Sequence, residues 1–436
     1  MKRPGSGKAS TGSTRETLRI EGIAAGGAGI GRLEGAIVFV PRVAPGDLIE
    51  CEVSLAKRPA TARVLRVVEP GPDRVAPACP VVDACGGCDF MHLTLSAQAR
   101  AHAEIARAAI AHALPGVPLP EVRAHAATAA LGYRTRARLF LKTERRDLVR
   151  VGYRAAGSHD ITAVDACAVL DPALAPLFAE LGAVLAGAKG EGDAGIALGK
   201  GGRAVVSLAW RGELPASTWA ALDARVQSGA WAGARVVLDG AGQAATFGDP
   251  RPVIAGPDGA PLVISAGGFA QSSDAGAAQI ARRVDELSRV EAKPRARHVV
   301  ELFAGSGTLS VLLARGAASF TAVEIDAASC AAARENLAAH AVAKVVTADA
   351  DAFAIPPATS VVVLDPPRAG AAGAAKAIAA SSARVVVYVS CDPATLARDL
   401  SVIARGRLRV TDIETFELFP QTSHVETIVR LERARS

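Results

Sequence analysis

The stretch that decides the fold is HVVELFAGSGTLSVLLARGAASFTAVEID, residues 298–326. Its first apolar run predicts a buried strand, the glycines of AGSG predict a sharp turn, and a helical pattern begins at Thr308. A second apolar run ends in Glu324, nineteen positions after Gly305. Glycines let a backbone approach a ligand, and an acid at the end of the second strand can bind ribose hydroxyls. The stretch therefore predicts a nucleoside site on an α/β sheet.

The same stretch differs from two common nucleotide-binding patterns. Ser310 stands where a dinucleotide site has its third glycine, and no phosphate-loop lysine follows the turn. An acid, Glu301, precedes the turn. This shorter pattern suits a nucleoside without a pyrophosphate, and S-adenosylmethionine (SAM) is the cofactor that we expect.

Length and composition limit the class of protein. A chain of 436 residues predicts two or three domains, and a composition that is 50% hydrophobic but only 4% aromatic suits helices packed on parallel strands. The net charge of +6 weakly favours a polyanionic partner. We find no signal peptide and no apolar run long enough to span a membrane, which predicts a cytoplasmic protein without membrane contact. We expect a monomer.

Changes of pattern divide the chain into four parts. Residues 1–14 are polar and basic, which predicts a disordered tail. Residues 15–69 contain short strands separated by Gly-rich turns, and this spacing predicts a small closed β-barrel. Residues 70–262 mix helices and strands in a central α+β domain. Residues 263–436 alternate strands with helices, which predicts a parallel, doubly wound sheet.

Several polar residues of the last domain fall where a strand is predicted to end. Ligands of doubly wound sheets bind at the carboxyl ends of the strands, so a shared position at these ends favours one common site. Gln271 lies just before a predicted helix capped by Ser272, Ser273 or Asp274, where its amide can read a ligand. The candidates at strand ends are Gly305, Glu324, Asp349, Asp365 and Cys391.

Four cysteines predict a metal site in the central domain. Cys79, Cys85 and Cys88 are separated by five and then two residues, and Cys167 follows at a distance. An iron–sulfur cluster commonly takes a tight group of three thiolates and a distant fourth, which favours a cluster. A zinc site remains an alternative, although Cys167 has no close partner. A thioredoxin-like redox pair is disfavoured because Pro80 and Asp83 interrupt the strand that it needs.

The segment after the predicted helix 96–114 is rich in arginine. Arg134, Arg136 and Arg138 alternate, so a strand would place all three on one face. A solvated edge strand would use charges in the same way. The aligned arginines, with Tyr133 and Tyr153 nearby, favour contact with nucleic acid.

The last third of the chain carries the residues for chemistry. Cys391 ends a predicted strand, and Asp392 can cap the next helix. The N-terminus of that helix favours a lowered thiol pKa, although the negative charge of Asp392 opposes this effect. His424 and Glu426 are two apart on the predicted final strand and so share a face, where Glu426 can act as a general base. Arg368 follows Asp-Pro-Pro where amine methyltransferases have an aromatic residue, which disfavours amine methylation.

A thiol, a base and a methyl donor together suit methylation of carbon 5 of uracil. That carbon is a poor nucleophile until a thiolate adds to carbon 6 and turns the ring into an enolate. After methyl transfer, a base removes the proton from carbon 5 and the thiol is expelled. An enzyme of this kind must also take its target base out of the stack.

The chain resembles the bacterial family of SAM-dependent RNA 5-methyluridine methyltransferases, and most closely the members that modify large-subunit ribosomal RNA. The resemblance rests on CPVVDACGGC, GGFAQSS, ELFAGSGTLS, DPPR, VSCDP and HVET, and it covers nearly the whole chain. It implies a TRAM barrel at residues 15–69, a 4Fe–4S cluster on the four cysteines, Cys391 as the nucleophile and Glu426 as the base. It also implies RNA contacts near Arg368 and these positions for cofactor and substrate: Gln271, Phe303, Gly305, Gly307, Thr308, Glu324, Asp349 and Asp365.

Three other functions compete with methylation of ribosomal RNA. Transfer RNA is an alternative substrate for the same chemistry. A DNA cytosine-5 methyltransferase also activates its target ring by attack of a cysteine thiolate, but it normally places this cysteine in a Pro-Cys loop and lacks a TRAM barrel. A non-catalytic RNA-binding protein is disfavoured because both Cys391 and Glu426 are present.

Overall fold

A computed structural model of the protein describes residues 13–55, 58–145, 148–240, 242–289 and 297–434. Most of the predicted tail at residues 1–14 lies outside the described residues, and Ser13 and Thr14 belong to the first strand. Within the described residues, no helix is both long enough and apolar enough to cross a membrane. The chain forms a mixed α/β fold with three large sheets and a short hairpin.

The N-terminal sheet has six strands in the order β1-β5-β6-β4-β3-β2. Alternating residues of β5 face its core, where Ile49, Cys51 and Val53 are fully buried. Cys51 is therefore a packing residue of this sheet. The strands are β1 (Ser13–Arg19), β2 (Gly22–Ile23), β3 (Gly29–Leu33), β4 (Ala36–Val40), β5 (Leu48–Ser54) and β6 (Ala60–Glu69).

The next segment corrects the predicted boundary of the central domain. Helix α1 (Leu95–Ala113) and strand β7 (Val122–His125) both join the C-terminal sheet and not a central unit of residues 70–262. Strand β7 pairs in parallel with the strand that would otherwise be the open edge of that sheet. Since unpaired backbone groups at an edge attract other chains, β7 protects this edge.

The central sheet has seven strands in the order β10-β9-β8-β11-β12-β13-β14. Helices α2 (Leu177–Val184) and α3 (Ala216–Gln227) pack on it, and Leu139 and Leu141 of β8 are buried in the shared core. The opposite side of β8 carries Arg138, which is exposed. The strands are β8 (Arg136–Arg145), β9 (Leu148–Arg154), β10 (Ile161–Ala163), β11 (Lys189–Leu198), β12 (Ala204–Glu213), β13 (Trp231–Leu238) and β14 (Ala245–Gly248).

The C-terminal sheet confirms the predicted alternation of strands and helices. A hairpin of β15 (Val253–Ala255) and β16 (Pro261–Val263) precedes it. Ser273 caps α4 by accepting a hydrogen bond from the Gly276 N–H, as predicted. The elements are α4 (Asp274–Leu287), β17 (His298–Leu302), α5 (Ser310–Leu313), β18 (Ser319–Glu324), α6 (Ala327–Asn336), β19 (Ala343–Thr347), β20 (Val361–Leu364), α7 (Ala372–Ala380), β21 (Val385–Ser390), α8 (Pro393–Ile403), β22 (Leu408–Phe416) and β23 (Glu426–Arg433).

One strand of this sheet runs against the others. The order is β19-β18-β17-β20-β21-β23-β22-β7, in which β17 to β21 pair in parallel and β23 is antiparallel to both neighbours. The strand order reverses between β17 and β20, which is where such sheets bind ligands. Because β23 is reversed, its first residue lies at the same edge as the last residues of β20 and β21.

Candidate active site

The turn after β17 has a strained backbone. Phe303 has φ of 61°, a left-handed conformation that non-glycine residues rarely adopt, and Gly305 and Gly307 also have positive φ. A Cβ added at Gly305 would meet nothing within 4 Å. The turn therefore leaves open space where a ligand can approach the backbone.

The acid at the end of β18 is fixed to this turn. Glu324 accepts hydrogen bonds from the Gly305 N–H at 2.9 Å and from the Asp326 N–H at 2.9 Å. The two backbone donors set the orientation of the carboxylate, and each oxygen keeps a lone pair for a further donor. Turn and acid thus form one unit, as their spacing in the sequence predicted.

The acid before the turn lies beneath it and not in the open space. Glu301 is buried and accepts a hydrogen bond of 2.5 Å from the Ser310 hydroxyl. Burial raises the pKa of Glu301 to about 8, so this side chain is mostly uncharged at neutral pH. Ser310, where a dinucleotide site would have glycine, is therefore the partner of Glu301.

Two polar atoms next to α4 have no partner within the described residues. The Gln271 side-chain oxygen and the Ser272 hydroxyl are both buried without a hydrogen bond. A buried polar atom without a hydrogen-bond partner destabilises the folded protein, so such atoms are candidates for hydrogen bonds to a ligand. Asp349 is exposed after β19 and accepts a hydrogen bond from the Asp351 N–H, while Thr308 is half-buried at the start of the helical turn.

Three acidic groups meet where β20, β21 and β23 come together. Ser390 pairs with Thr427 in the sheet, which places Cys391 beside Glu426, and Asp365 directly follows the neighbouring strand β20. Glu426 is only 2% exposed, and its Oε2 atom has no hydrogen-bond partner among the described residues. A thiol and a carboxylate able to accept a proton are thus adjacent.

Mutual repulsion and burial disfavour the charged forms of these groups. Burial raises the pKa of Asp365 to about 7, and burial together with Asp365 raises the pKa of Glu426 well above its usual range. Burial, Glu426 and Asp365 raise the pKa of Cys391 to about 11, and Arg368 partly opposes them. The expectation of a lowered thiol pKa is therefore wrong, because burial outweighs the helix N-terminus. Asp392 does cap α8, as predicted, by accepting from the Thr395 N–H.

Arg368 and His424 lie together beside this group. A guanidinium nitrogen of Arg368 is 3.2 Å from the His424 Nε2 atom, and burial and Arg368 both lower the pKa of His424. A neutral imidazole can accept the guanidinium hydrogen bond. The prediction that His424 shares a strand face with Glu426 is wrong, because β23 begins at Glu426 and His424 precedes it.

Asp89 and Tyr133 hold the loop before β23, and the sequence indicated neither of these contacts. Asp89 accepts hydrogen bonds from the Ser423 N–H at 2.7 Å and from the Ser423 hydroxyl at 2.6 Å. The Tyr133 hydroxyl donates to the Pro420 carbonyl at 3.0 Å. These partners lie hundreds of residues apart in the chain, so no local pattern could have indicated them. They connect the cysteine-rich segment to the loop that leads to Glu426.

The sulfurs of Cys79, Cys85 and Cys167 lie near enough to Cys88 to affect its pKa. Burial and the neighbouring sulfurs of Cys167, Cys85 and Cys79 raise the pKa of Cys88 to about 12, whereas Arg134 opposes them. The Gly87 N–H donates to the Cys85 Sγ atom at 3.3 Å. Among the described residues, no three His, Cys, Asp or Glu side chains are gathered closely enough to hold a single metal ion.

The prediction that Arg134, Arg136 and Arg138 form one exposed row is wrong. Strand β8 begins only at Arg136, whose side chain is 13% exposed and forms an ion pair with Asp274. Arg134 lies close enough to the cysteines to oppose the rise in the pKa of Cys88, and its Nε atom is buried without a partner among the described residues. Arg138 is 69% exposed and 3.2 Å from Asp193. Tertiary packing thus separates three residues that sequence periodicity placed together.

Known proteins resemble this chain over nearly its full length. A family model described as tRNA (Uracil-5-)-methyltransferase matches residues 355–434. The chain is 33% identical to an uncharacterized RNA methyltransferase of Thermosynechococcus vestitus, covering 95% of this chain and 97% of that protein. It is 31% identical to the 23S rRNA (uracil(1939)-C(5))-methyltransferase RlmD of Chromohalobacter salexigens, covering 97% of this chain and 90% of that protein.

A solved structure shares the fold. It is the tRNA (uracil-54, C5)-methyltransferase of Pyrococcus abyssi in complex with S-adenosyl-L-homocysteine, with a TM-score of 0.72 and 22% sequence identity. The alignment covers 96% of this chain and 100% of that chain. At this identity, the match establishes the architecture.

Proposed function

Because this chain belongs to the RNA (uracil-C5)-methyltransferase family, we propose that it transfers the methyl group of SAM to carbon 5 of a uridine in 23S ribosomal RNA. The observation that carries the proposal is the position of the Cys391 thiol beside the Glu426 carboxyl at the ligand-binding edge of the sheet. This chemistry needs a nucleophile and a separate proton acceptor on one ring, and these two residues supply both.

The residues act in a fixed order. The Cys391 sulfur bonds to carbon 6 of the uracil, and the ring electrons move to oxygen 4 as an enolate, which makes carbon 5 nucleophilic. SAM, when bound, supplies an electrophilic methyl group for carbon 5. Glu426 then takes the proton from carbon 5, the carbon–sulfur bond breaks, and Cys391 leaves as a thiolate. Arg368, whose positive charge acts on both Cys391 and Glu426, opposes the build-up of negative charge.

The raised pKa values suit a site that is inactive until substrate binds. In the free protein the half-buried thiol of Cys391 holds its proton at neutral pH, and burial together with Asp365 favours the neutral form of the Glu426 carboxyl. Asp365 and Glu426 share a buried site, where a state with one shared proton is more stable than a state in which both carboxyls are negatively charged. When RNA binds beside Arg368, Cys391 and Glu426 must therefore both release their protons to solvent. The thiolate can then attack carbon 6, and the carboxylate can later accept the proton from carbon 5.

The residues around the strained turn fit SAM. The buried Gln271 oxygen and Ser272 hydroxyl have no partner among the described residues and can form hydrogen bonds with polar groups of the cofactor. Glu324 presents a carboxylate whose orientation is fixed by two backbone donors, which suits two ribose hydroxyls. We assign the remaining contacts to the positions that the family pattern supplies: Phe303, Gly305, Gly307, Thr308, Asp349 and Asp365.

Labelled SAM tests the acceptor directly. We expect label to enter unmodified 23S ribosomal RNA as 5-methyluridine, with little transfer to unmodified transfer RNA and none to DNA. Transfer RNA is the second candidate because the family model that matches residues 355–434 is described by that substrate. Preferential labelling of transfer RNA would reverse the assignment of substrate, and labelling of DNA alone would refute an RNA enzyme.

The cysteine site fits a 4Fe–4S cluster, which we include in the proposal. The buried Arg134 Nε atom and the buried Tyr153 hydroxyl have no partner among the described residues, and both groups lie near Cys88 or Cys167. Such donors suit the sulfur atoms of a cluster, which are hydrogen-bond acceptors. Cys79, Cys85, Cys88 and Cys167 would be the ligands. The cluster would hold the segment that includes Asp89, whose carboxylate fixes Ser423 in the loop before Glu426.

Metal analysis distinguishes this cluster from zinc. Protein purified without oxygen should be brown and contain about four irons and four sulfides per chain. Cys88→Ala should lose this iron, whereas Cys51→Ala should keep it, because Cys51 is buried in the N-terminal sheet away from the site. Stoichiometric zinc in anaerobically purified protein would refute the cluster.

The remaining parts of the chain suit an RNA substrate. We assign the six-stranded N-terminal sheet to a TRAM barrel, and Arg138 and Arg368 to contacts with RNA, since both are exposed cations. Arg134 and Arg136 are left out of this assignment, because one lies beside the cysteines and the other is paired with Asp274. We propose a monomer that works in the cytoplasm.

A further inference from the structure

A cavity of about 440 Å³ lies where the N-terminal sheet, the cysteine-rich segment and the central sheet meet. The loop 26–28 forms one wall, Gly86 and Gly87 form the second, and Phe140 and Arg154 form the third. Its volume is in the range of small-molecule sites. No cysteine lines the cavity, but Gly86, Gly87 and Tyr153 do, so the cavity adjoins the proposed cluster site without containing it.

One wall of the cavity is a flat, cationic stacking surface. The guanidinium carbon of Arg154 lies 4.2 Å from the centre of the Phe140 ring. Arg154 also donates to the His159 carbonyl, which helps to hold the guanidinium in place. Single-stranded nucleic acids are recognised by stacking of their bases on aromatic rings and on arginine planes. This wall therefore suits a nucleobase.

The charge of the lining suits a phosphate group. Arg42 and Arg154 are its cations, and Asp89 is its one acid. Both carboxylate oxygens of Asp89 are engaged by Ser423. Arg42 uses one N–H group to donate to the Cys85 carbonyl at 2.9 Å, and its ionic partner is Asp83, which is 97% exposed and 3.7 Å away. An exposed pair of this kind is weak, so Arg42 remains available to a phosphate.

The rim of the cavity is open and adjoins the active-site loop. A Cβ added at Gly26 or at Gly157 would meet nothing within 4 Å, so a polymer can enter and leave the cavity. At Gly27, an added Cβ would lie 2.7 Å from the Ser423 Cβ atom. Because Ser423 immediately precedes His424, the wall of the cavity is continuous with the segment that leads to Glu426.

We propose that this cavity binds an unpaired nucleotide of the RNA substrate, next to but separate from the target uridine. The inference rests on the proposed function. The base stacks on the Arg154–Phe140 wall, and its phosphate contacts Arg42. Occupation of the cavity would position the RNA so that the target base reaches Cys391, and would select substrates with a second unpaired nucleotide near the uridine.

Fluorescent RNA tests the cavity. Each unpaired nucleotide near the target uridine of a ribosomal RNA hairpin is replaced in turn by 2-aminopurine, and binding is measured with Cys391→Ala protein so that the complex stays reversible. We expect fluorescence quenching at one position. In the Cys391→Ala background, the second substitution Arg154→Ala should remove this quenching. It should also weaken RNA binding roughly tenfold, which is the loss of affinity expected when one base no longer stacks. Ala156→Trp, which fills the cavity from an exposed lining position, should have the same effect.

Arg150→Ala is the matched control. Arg150 lies four residues from Arg154 on β9 and so on the same side of the strand; it also donates to a backbone carbonyl, but it does not line the cavity. It should keep the quenching and the affinity, and SAM binding should be unchanged in all variants. Equal loss in Arg150→Ala and Arg154→Ala, or full RNA affinity in Ala156→Trp, would overturn the proposal. Methylation by protein with native Cys391 tests the proposed function separately, and a parent that neither binds nor methylates RNA would overturn both.

Discussion

Cys391→Ala is expected to abolish both methyl transfer and any covalent protein–RNA complex. Without the sulfur no bond forms at carbon 6, so carbon 5 of the uracil does not become nucleophilic. The loss in turnover should be about 10³-fold or more, on the scale of removing a covalent nucleophile. Transfer of labelled methyl groups measures the first effect. Denaturing electrophoresis with RNA that carries 5-fluorouridine measures the second, because fluorine at carbon 5 cannot leave as a proton and the adduct persists.

A second cysteine provides the control for this experiment. Cys51 is fully buried in the N-terminal sheet, so Cys51→Ala removes a thiol without touching the active site. It should keep both the methyl transfer and the trapped adduct. If Cys391→Ala still methylates RNA, the covalent mechanism is wrong, and the assignment of the reaction to carbon 5 is wrong with it.

Glu426→Gln is expected to stop the reaction after methyl transfer. Cys391 can still attack and carbon 5 can still accept the methyl group, but no carboxylate remains to remove the proton. Elimination stalls, and methylated RNA should stay attached to Cys391 through denaturing electrophoresis. Turnover should fall by about 10²–10⁴-fold, the usual contribution of a general base. The substitution keeps the size of a side chain that is 2% exposed, so the fold should be retained.

Asp365→Asn is the informative comparison for this variant. Asp365 raises the pKa of Glu426, so its neutral replacement should lower that pKa and leave Glu426 able to take the proton. Turnover can fall through weaker binding, but the methylated adduct should not accumulate. Normal turnover of Glu426→Gln would show that Glu426 is not the base, and His424 or a water molecule would then have to be considered.

The sequence by itself determined the framework of the C-terminal sheet. Short apolar runs predicted β17 to β21, and glycines and helix-capping residues predicted the turns between them, because these signals act within a few residues of the chain. The spacing of Glu324 and Gly305 predicted that both belong to one site, since they lie in a single strand–turn–helix–strand unit, and the structure adds the hydrogen bond between them. Cys391 and Glu426 could be identified as reactive residue types at strand ends.

Only the tertiary structure decided how distant segments meet. Strand β7 closes an edge of the sheet by pairing Val122 with Ile413, 291 residues later in the chain. Arg136 pairs with Asp274, which is 138 residues away in the sequence. Local periodicity carries no information about such partners, so it placed Arg136 on a solvent face. The pKa of Cys391 was misjudged for the same reason. A helix N-terminus can be read from sequence, whereas burial and the charges of Glu426 and Asp365 exist only once three strands are assembled.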